Sequence, residues 1–316
     1  IGSNFIHYLL NKYKDINIYN LDLLTYAGDL DNTKSFKSNK KYKFIHGDIC
    51  DRDLLDEIFK KYEIDGVINF AAETHVDNSI IYPEKFIKTN IDGTFNLLNN
   101  CYKYWMKEPF LVKNKFNGAR FHQISTDEVY GSIENGSFKE DDLYLPNSPY
   151  SSSKAASDLI VRSFEKTYGL NTTISICSNN SGKNQNREKL IPKIIHCLMN
   201  DEDIPIYGNG KNVRDWIHVE DHCRAIDLIF NKSENGHKYN IGGCNEYSNN
   251  EIVNLIIKFF KKYKSTKSKI KYVEDRKGHD FRYSIDSSKI KRNIDWSPKI
   301  EFLTGIDELI NDFIET

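Results

Sequence analysis

The chain has 316 residues, 39% hydrophobic and 28% charged, which is enough for a full core in one large domain or two smaller ones. A formal net charge of −1 gives no global pull toward nucleic acid or an anionic membrane. The cysteines (Cys50, Cys101, Cys177, Cys197, Cys223 and Cys244) include no CxxC pair, so zinc ribbons and thioredoxin-type chemistry lose support and reduced core thiols of a cytoplasmic protein are expected.

The opening IGSNF reads as a strand-to-helix junction. Gly2 stands where the last glycine of a dinucleotide fingerprint would stand, and the strand and first glycines that would precede it are not in the sequence. The expectation is a nucleotide-binding domain incomplete at its start. Apolar runs then follow at 16–24, 43–49, 66–72, 119–125 and 171–178, separated by stretches of helical length and period at 51–62, 83–104 and 150–168. Strands alternating with helices imply βαβ units and a parallel sheet. Ligands of such sheets bind at the C-terminal ends of the strands. Asp22, Asp48, Ala71 to Glu73, Thr126 to Glu128 and Ser178 to Asn180 all fall at those ends.

Beyond about residue 180 the pattern changes. A helix is expected at 189–199, a strand or loop with a glycine turn at 204–210, a strand running into a helix at 213–230, and short strands at 238–243 and 269–275. This part reads as a smaller α/β lobe laid over the sheet, with no flexible linker and no internal repeat. The lysine- and aromatic-rich 258–272 reads as a solvated helix end and loop, not a nucleic-acid surface. His218, Asp221 and His222 are not read as a metal site, because His218 ends the expected strand; no metal is expected.

Two patterns carry chemistry. Asp22 is where an acid would hold an adenosine ribose, and an acid there favours NAD over NADP because it would repel a 2′-phosphate. Tyr150 and Lys154 lie four apart and share a helical face. Of the four YxxxK matches (Tyr8/Lys12, Tyr150/Lys154, Tyr207/Lys211, Tyr263/Lys267), only this one opens a helix after Ser-Pro and follows a strand end carrying Thr126, Asp127 and Glu128. A neighbouring ammonium is expected to lower the phenol's pKa. Moving a tyrosine from about 10 toward 7 takes roughly 4 kcal/mol. Adjacent carboxylic acids at a strand end point to a reaction that needs an acid and a base at once.

Taken in order, LDLLTYAGDLDN, GDICD, FAAETHVDNSI, TNIDGTFNLL, FHQISTDEVYG, SPYSSSKAASD, CSNNSG, EKLIP, PIYGNGKNVRDWIHVEDH, YNIGG and GHDFRYSID resemble the dTDP-glucose 4,6-dehydratases, a branch of the extended short-chain dehydrogenase/reductase family, over nearly the whole chain. The Asp-Glu pair after STD marks a dehydratase rather than an epimerase. The resemblance implies a Rossmann-type doubly wound parallel sheet over residues 1–180 and a smaller C-terminal α/β substrate lobe over 181–316, with some segments returning to the first domain.

It also implies roles for residues. Thr126, Asp127, Glu128, Tyr150 and Lys154 would be catalytic. Gly2, Asp22, Leu23, Leu24, Thr25, Ala27, Gly28, Asp48, Ile49, Phe70, Ala71, Ala72, Glu73, Thr74, Thr89 and Asn179, with Tyr150 and Lys154, would hold NAD. Thr74, Thr126, Asn180, Lys189, Leu190, Pro205, Ile206, Tyr207, Arg214, Asn249, Asp275, Arg276, Lys277, Gly278 and His279 would meet the nucleotide sugar, Arg214 and Arg276 as bidentate diphosphate donors. A homodimer pairing the helices around 83–104 and 150–168 is implied as well.

The chain departs from the family pattern at Ser181, Lys183, Asn184 to Arg187 and Lys277, which bears on pocket shape and leaves the catalytic set intact. Two alternatives remain open from sequence. One is the same reaction on UDP-glucose, a difference of one methyl group. The other is a non-catalytic nucleotide-sugar-binding paralogue.

Overall fold

The computed structural model describes residues 1–315. In chain order, helix α1 (Gly2–Lys12) leads to strand β1 (Ile18–Asp22), then β2 (Tyr42–His46), α2 (Arg52–Tyr62), β3 (Gly66–Asn69) and α3 (Val76–Ile81). Helix α4 (Pro83–Phe86) runs through a π-helical segment, Ile87–Gly93, into α5 (Thr94–Trp105), which is followed by the short hairpin β4 (Met106–Glu108) and β5 (Leu111–Val112). Strand β6 (Arg120–Thr126), helix α6 (Pro149–Tyr168) and strand β7 (Thr172–Cys177) complete the first half. The second half comprises β8 (Asn179–Ser181), α7 (Leu190–Met199), β9 (Ile204–Tyr207), β10 (Val213–His218), α8 (Val219–Lys232), β11 (Lys238–Ile241), β12 (Glu246–Ser248), α9 (Asn249–Phe260), β13 (Ile270–Val273), α10 (Ser288–Ile294) and α11 (Phe302–Glu315).

Strands β3, β6, β7 and β11 form a parallel sheet in the order β11-β7-β6-β3, and β1 pairs in parallel with β2. All six residues of β7 and six of the seven in β6 are buried, as parallel strands covered on both faces should be. Polar residues inside these strands pair across the sheet. His122 lies 2.8 Å from Thr173 Oγ1 and 3.0 Å from Ser175 Oγ, and Asn69 donates to Gln123 at 3.0 Å. Burial drives the His122 pKa down to about 3, so the imidazole is neutral and acts as a structural bridge.

The helix that faces the active strand end is well specified locally. Ser148 and Ser151 form a reciprocal capping box, Pro149 occupies the first turn, and Gly169 closes the helix at φ 69°. The expected helix at 83–104 is interrupted by the π segment. There Asn90, 1% exposed, accepts from Glu73 N at 2.8 Å and donates to Glu73 O at 3.0 Å and Ser153 Oγ at 2.8 Å. That cross-link ties the loop after β3 to α6.

A second core fills the later half: Ile191, Ile195, Ile206, Ile252, Ile256, Phe302 and Ile306 pack together between α7, α9, α11 and β9. Strand β10 pairs with β8 and β12, and β13 with β9. Strand β11 returns to the first sheet beside β7. Residues 258–272 are the end of α9, a loop and the start of β13. His218 ends β10 and caps α8 by accepting from Glu220 N, while His222 lies beside Asn180 Oδ1 at 2.9 Å.

Candidate active site

The C-terminal ends of β3, β6 and β7 share one edge of the parallel sheet, and α6 packs against β6 and the turn that follows it. Thr126 ends β6, and a tight turn over Asp127–Tyr130 follows it. Asp127 is 2% exposed; its Oδ2 has no hydrogen-bond partner, and its Oδ1 lies 3.4 Å from the Thr126 hydroxyl. Burial, with the neighbouring Glu128 charge, holds the Asp127 carboxyl well above the usual range, which favours its protonated form. Glu128 is half-buried. Burial raises its pKa too, but Arg214, Lys189 and Arg276 act in the opposite direction. The neighbours thus receive different environments: Asp127 is suited to give a proton and Glu128 to take one.

Tyr150 and Lys154 sit on the inward face of α6, 8% and 4% exposed. Lys154 donates to the Ile124 carbonyl at 2.6 Å. Lys154 alone does not draw the Tyr150 pKa down. Burial and the nearby Glu128 push the phenol well above its ordinary value, against the hydrogen bond with Thr126. Spacing placed the pair on one face but gave no measure of the desolvation that dominates there.

On the cofactor side, Asp22 ends β1 with its carboxylate exposed, and its Oδ1 accepts from Leu24 N at 2.8 Å. Leu23, Thr25, Ala27 and Gly28 are exposed in the turn that follows, where Gly28 N donates to Thr25 O at 2.8 Å. A Cβ on Gly28 would lie 2.6 Å from Leu24 Cα, so the turn requires glycine there. Asp48 caps the next turn by accepting from Cys50 N at 2.8 Å, and Ile49 is buried against Gly93. Phe70, Ala71, Ala72, Glu73 and Thr74, in the loop after β3, and Thr89 of the π-helical segment are half-buried. Gly2 begins α1 next to Phe70. An exposed carboxylate at the end of β1, a half-buried loop after β3 and a buried ammonium on α6 are a residue set that fits a dinucleotide such as NAD.

The later half adds to this site. Lys189 donates to Thr74 O at 3.1 Å. Tyr207 donates to Asp77 Oδ2 at 3.0 Å, and the Arg276 guanidinium lies 4.7 Å over the Tyr207 ring and 3.4 Å from Asp77 Oδ1. Arg214 lies 4.1 Å over the Tyr283 ring and donates to the carbonyls of Val213 at 2.7 Å and Asp280 at 2.9 Å. It forms no surface ion pair with Asp215 or Glu220. Three cations (Lys189, Arg214 and Arg276) thus act on Glu128 across one pocket.

His279 pairs with Asp275 at 2.7 Å, Gly278 takes φ 65°, and Lys277 is exposed. Asn249 opens α9, and its N–H donates to Asn212 O at 3.0 Å. Asn179 and Asn180 are half-buried in β8, just past the end of β7. Pro205 and Tyr207 share the half-buried face of β9, but Ile206, expected to meet the substrate, is 1% exposed and packs into the second core. Strand alternation turns its side chain away from that half-buried face. Leu190 likewise packs against that core from the first turn of α7.

Among the departures from the family pattern, Ser181 is buried and Lys183 pairs with Asp312 at 2.8 Å, away from the catalytic residues. Sequence reading missed Asn90, Asp77, Tyr283 and Asp158. For Asp158 a signal existed, since it follows Lys154 by four residues and Tyr150 by eight on one helix.

A family model described as GDP-mannose 4,6 dehydratase matches residues 1–309. The dTDP-glucose 4,6-dehydratase of Escherichia coli is 42% identical over 332 residues, covering 99% of this chain and 91% of that protein. That of Xanthomonas campestris is 44% identical, covering 99% and 90%. The crystal structure of a dTDP-glucose 4,6-dehydratase from Bacillus anthracis in complex with NAD superposes with a TM-score of 0.88 at 41% identity, covering 100% of this chain and 93% of that one. A UDP-glucose 4-epimerase from Thermotoga maritima is similar at 25% identity with a TM-score of 0.86, covering 99% and 95%.

Proposed function

This chain belongs to the GDP-mannose 4,6 dehydratase family, where its relatives at 41–45% identity are dTDP-glucose 4,6-dehydratases, and from that premise we propose how its residues turn dTDP-glucose into dTDP-4-keto-6-deoxyglucose and water. The observation that carries the reading is the contrast within the Asp127–Glu128 pair.

Eliminating water across C5–C6 is difficult while C4 is an alcohol, because the C5 hydrogen is not acidic. NAD supplies the hydride acceptor at C4 and later the donor at C6. Tyr150, with Thr126 beside it, accepts the C4 hydroxyl proton as the phenolate while C4 becomes a ketone; the positive charges of Lys154 and of a bound nicotinamide would offset the burial that raises its pKa, and the proton it takes up replaces, through solvent, the one Asp127 gives to the leaving hydroxyl. The ketone acidifies C5. Glu128 takes the C5 proton, and Asp127 gives its proton to the departing C6 hydroxyl. When C6 is reduced, Glu128 returns a proton to C5. Each acid–base role of this kind contributes typically about 10²–10⁴-fold.

Asp22, Thr25, Asp48 and the 70–74 loop hold the cofactor in this reading. Lys189, Arg214 and Arg276 neutralise the diphosphate, and Tyr207 offers a face to the base. Residues 1–180 form the cofactor domain and 181–316 the substrate lobe, with β11 returning to the first sheet. The protein is a homodimer. Ile81 (63% exposed) at the end of α3, Tyr82 just after it, Ile87 of the π-helical segment and Leu159 (58% exposed) of α6 are exposed apolar side chains that a second copy covers by pairing helices.

The test is incubation of the protein and NAD with dTDP-glucose and, separately, UDP-glucose, followed by mass spectrometry. Loss of water from dTDP-glucose is expected. No loss from either would overturn the reading.

A further inference from the structure

The mechanism leaves several buried carboxylates unused, and one of them shares α6 with Tyr150 and Lys154. Asp158 is 2% exposed on α6, one turn beyond Lys154, and its Oδ1 has no hydrogen-bond partner. Its Oδ2 accepts from the Ser125 hydroxyl at 2.5 Å and the Tyr144 hydroxyl at 3.3 Å. An isolated carboxylate in such a place is destabilising unless a cation answers it. Lys154 is in the matching position: an ammonium, 4% exposed, whose one hydrogen bond is to the uncharged Ile124 carbonyl. The two side chains also grip consecutive residues of β6, Lys154 at Ile124 and Asp158 at Ser125, immediately before Thr126.

We propose that Asp158 is a positioning residue for the oxidation step, supplying the counter-charge that keeps Lys154 an ammonium and anchoring the strand end that presents Thr126 to Tyr150. The assignment rests on the dehydratase reading for its purpose, but the charge relationship stands apart from it. The groups around Asp158 agree. Lys154 and, from β11, Lys238 favour its ionised form, as do the hydroxyls of Ser125 and Tyr144, while Tyr130 is the neighbouring phenol on the turn after β6. Burial still raises its pKa to about 6. On the other partner, burial lowers the Lys154 pKa and Asp158 raises it, with Cys177 of β7 assisting.

The test titrates Lys154 in the protein without substrate, by NMR of lysine labelled with 13C at Cε, the resonance being identified by its loss in K154R. In the wild type, Lys154 should show a small inflection near pH 6, where Asp158 ionises, and a main inflection where the amine loses its proton. In D158N the small inflection should vanish and the main one move down by about 1–3 pH units. D158E, which keeps the charge, should restore both. A role in packing alone would move neither inflection.

A wild-type Lys154 resonance flat through pH 6, or a main inflection unchanged in D158N, would overturn the proposal. The wild-type titration decides the matter even where D158N fails to fold. Dehydration of dTDP-glucose by the same wild-type sample is measured alongside. Its failure would overturn the functional reading and not the charge relationship.

Discussion

Asp127 and Glu128 are adjacent in the chain yet differ in their surroundings: Asp127 is buried with one oxygen unpartnered, while Glu128 is half-buried and answers Lys189, Arg214 and Arg276. Removing either function should therefore block the same step from opposite ends. E128Q and D127N should each lower kcat for water loss by about 10²–10⁴-fold. Oxidation at C4 should survive in both, so that NADH absorbance rises on mixing with dTDP-glucose and stays high. Absence of that signal in both variants would place the carboxyl groups in the oxidation step instead.

Y150F removes the group that accepts the C4 proton. It should suppress the NADH signal and product formation together, lowering turnover by about 10²–10⁴-fold, which stopped-flow absorbance and a product assay check.

The Asp127 shift has a consequence for stability. A carboxyl whose folded pKa is raised binds its proton more tightly in the folded protein than in the unfolded chain. Its burial costs nothing below the unfolded pKa, and the cost grows as pH rises toward the folded pKa. D127N removes an ionisable group from that position. At neutral pH it should raise Tm, by about 2–4 °C for each kcal/mol recovered, and the gain should shrink toward pH 4. Calorimetric scans at several pH values check this; a variant less stable at neutral pH would contradict it.

Arg214 is held flat by carbonyls and by the Tyr283 ring. Lysine keeps the charge but cannot reproduce the planar fork. R214K should raise KM for dTDP-glucose by about tenfold, roughly 1.4 kcal/mol, and change kcat less. Initial-rate kinetics separate the two.

The apolar helical surface gives a prediction about assembly. A charge at its centre, as in L159K or I81D, should shift the protein from dimer to monomer in sedimentation velocity while its circular dichroism stays native. A dimer unaffected by both variants would contradict the helix pairing.

Much of this site was legible because its residues lie at ends of elements that local signals mark. Ser148, Pro149 and Gly169 frame α6, so the spacing of Tyr150 and Lys154 could be converted into a shared face. The alternation of apolar runs and helical stretches placed Asp22, Asp48 and Thr126 at strand ends. What spacing could not carry was depth. The Tyr150 phenol is raised, not lowered, because burial dominates and the nearby Glu128 adds to it, and burial is a property of the whole packed sheet. Asp77 meets Tyr207 and Arg276 only once two halves of the chain fold together, so no local signal announces it. Ile206 is a case that a motif match does not resolve: the alternation along β9 buries its side chain on the core side with Ile204.

The most direct test of the account is to run the reaction in heavy water with dTDP-glucose deuterated at C4 and to locate the label by NMR and mass spectrometry. The mechanism predicts a 4-keto-6-deoxy product that has lost one water, carries the original C4 deuterium at C6 and has gained one solvent deuterium at C5. A product of unchanged mass apart from exchange, or a C6 group carrying only solvent deuterium, would contradict it.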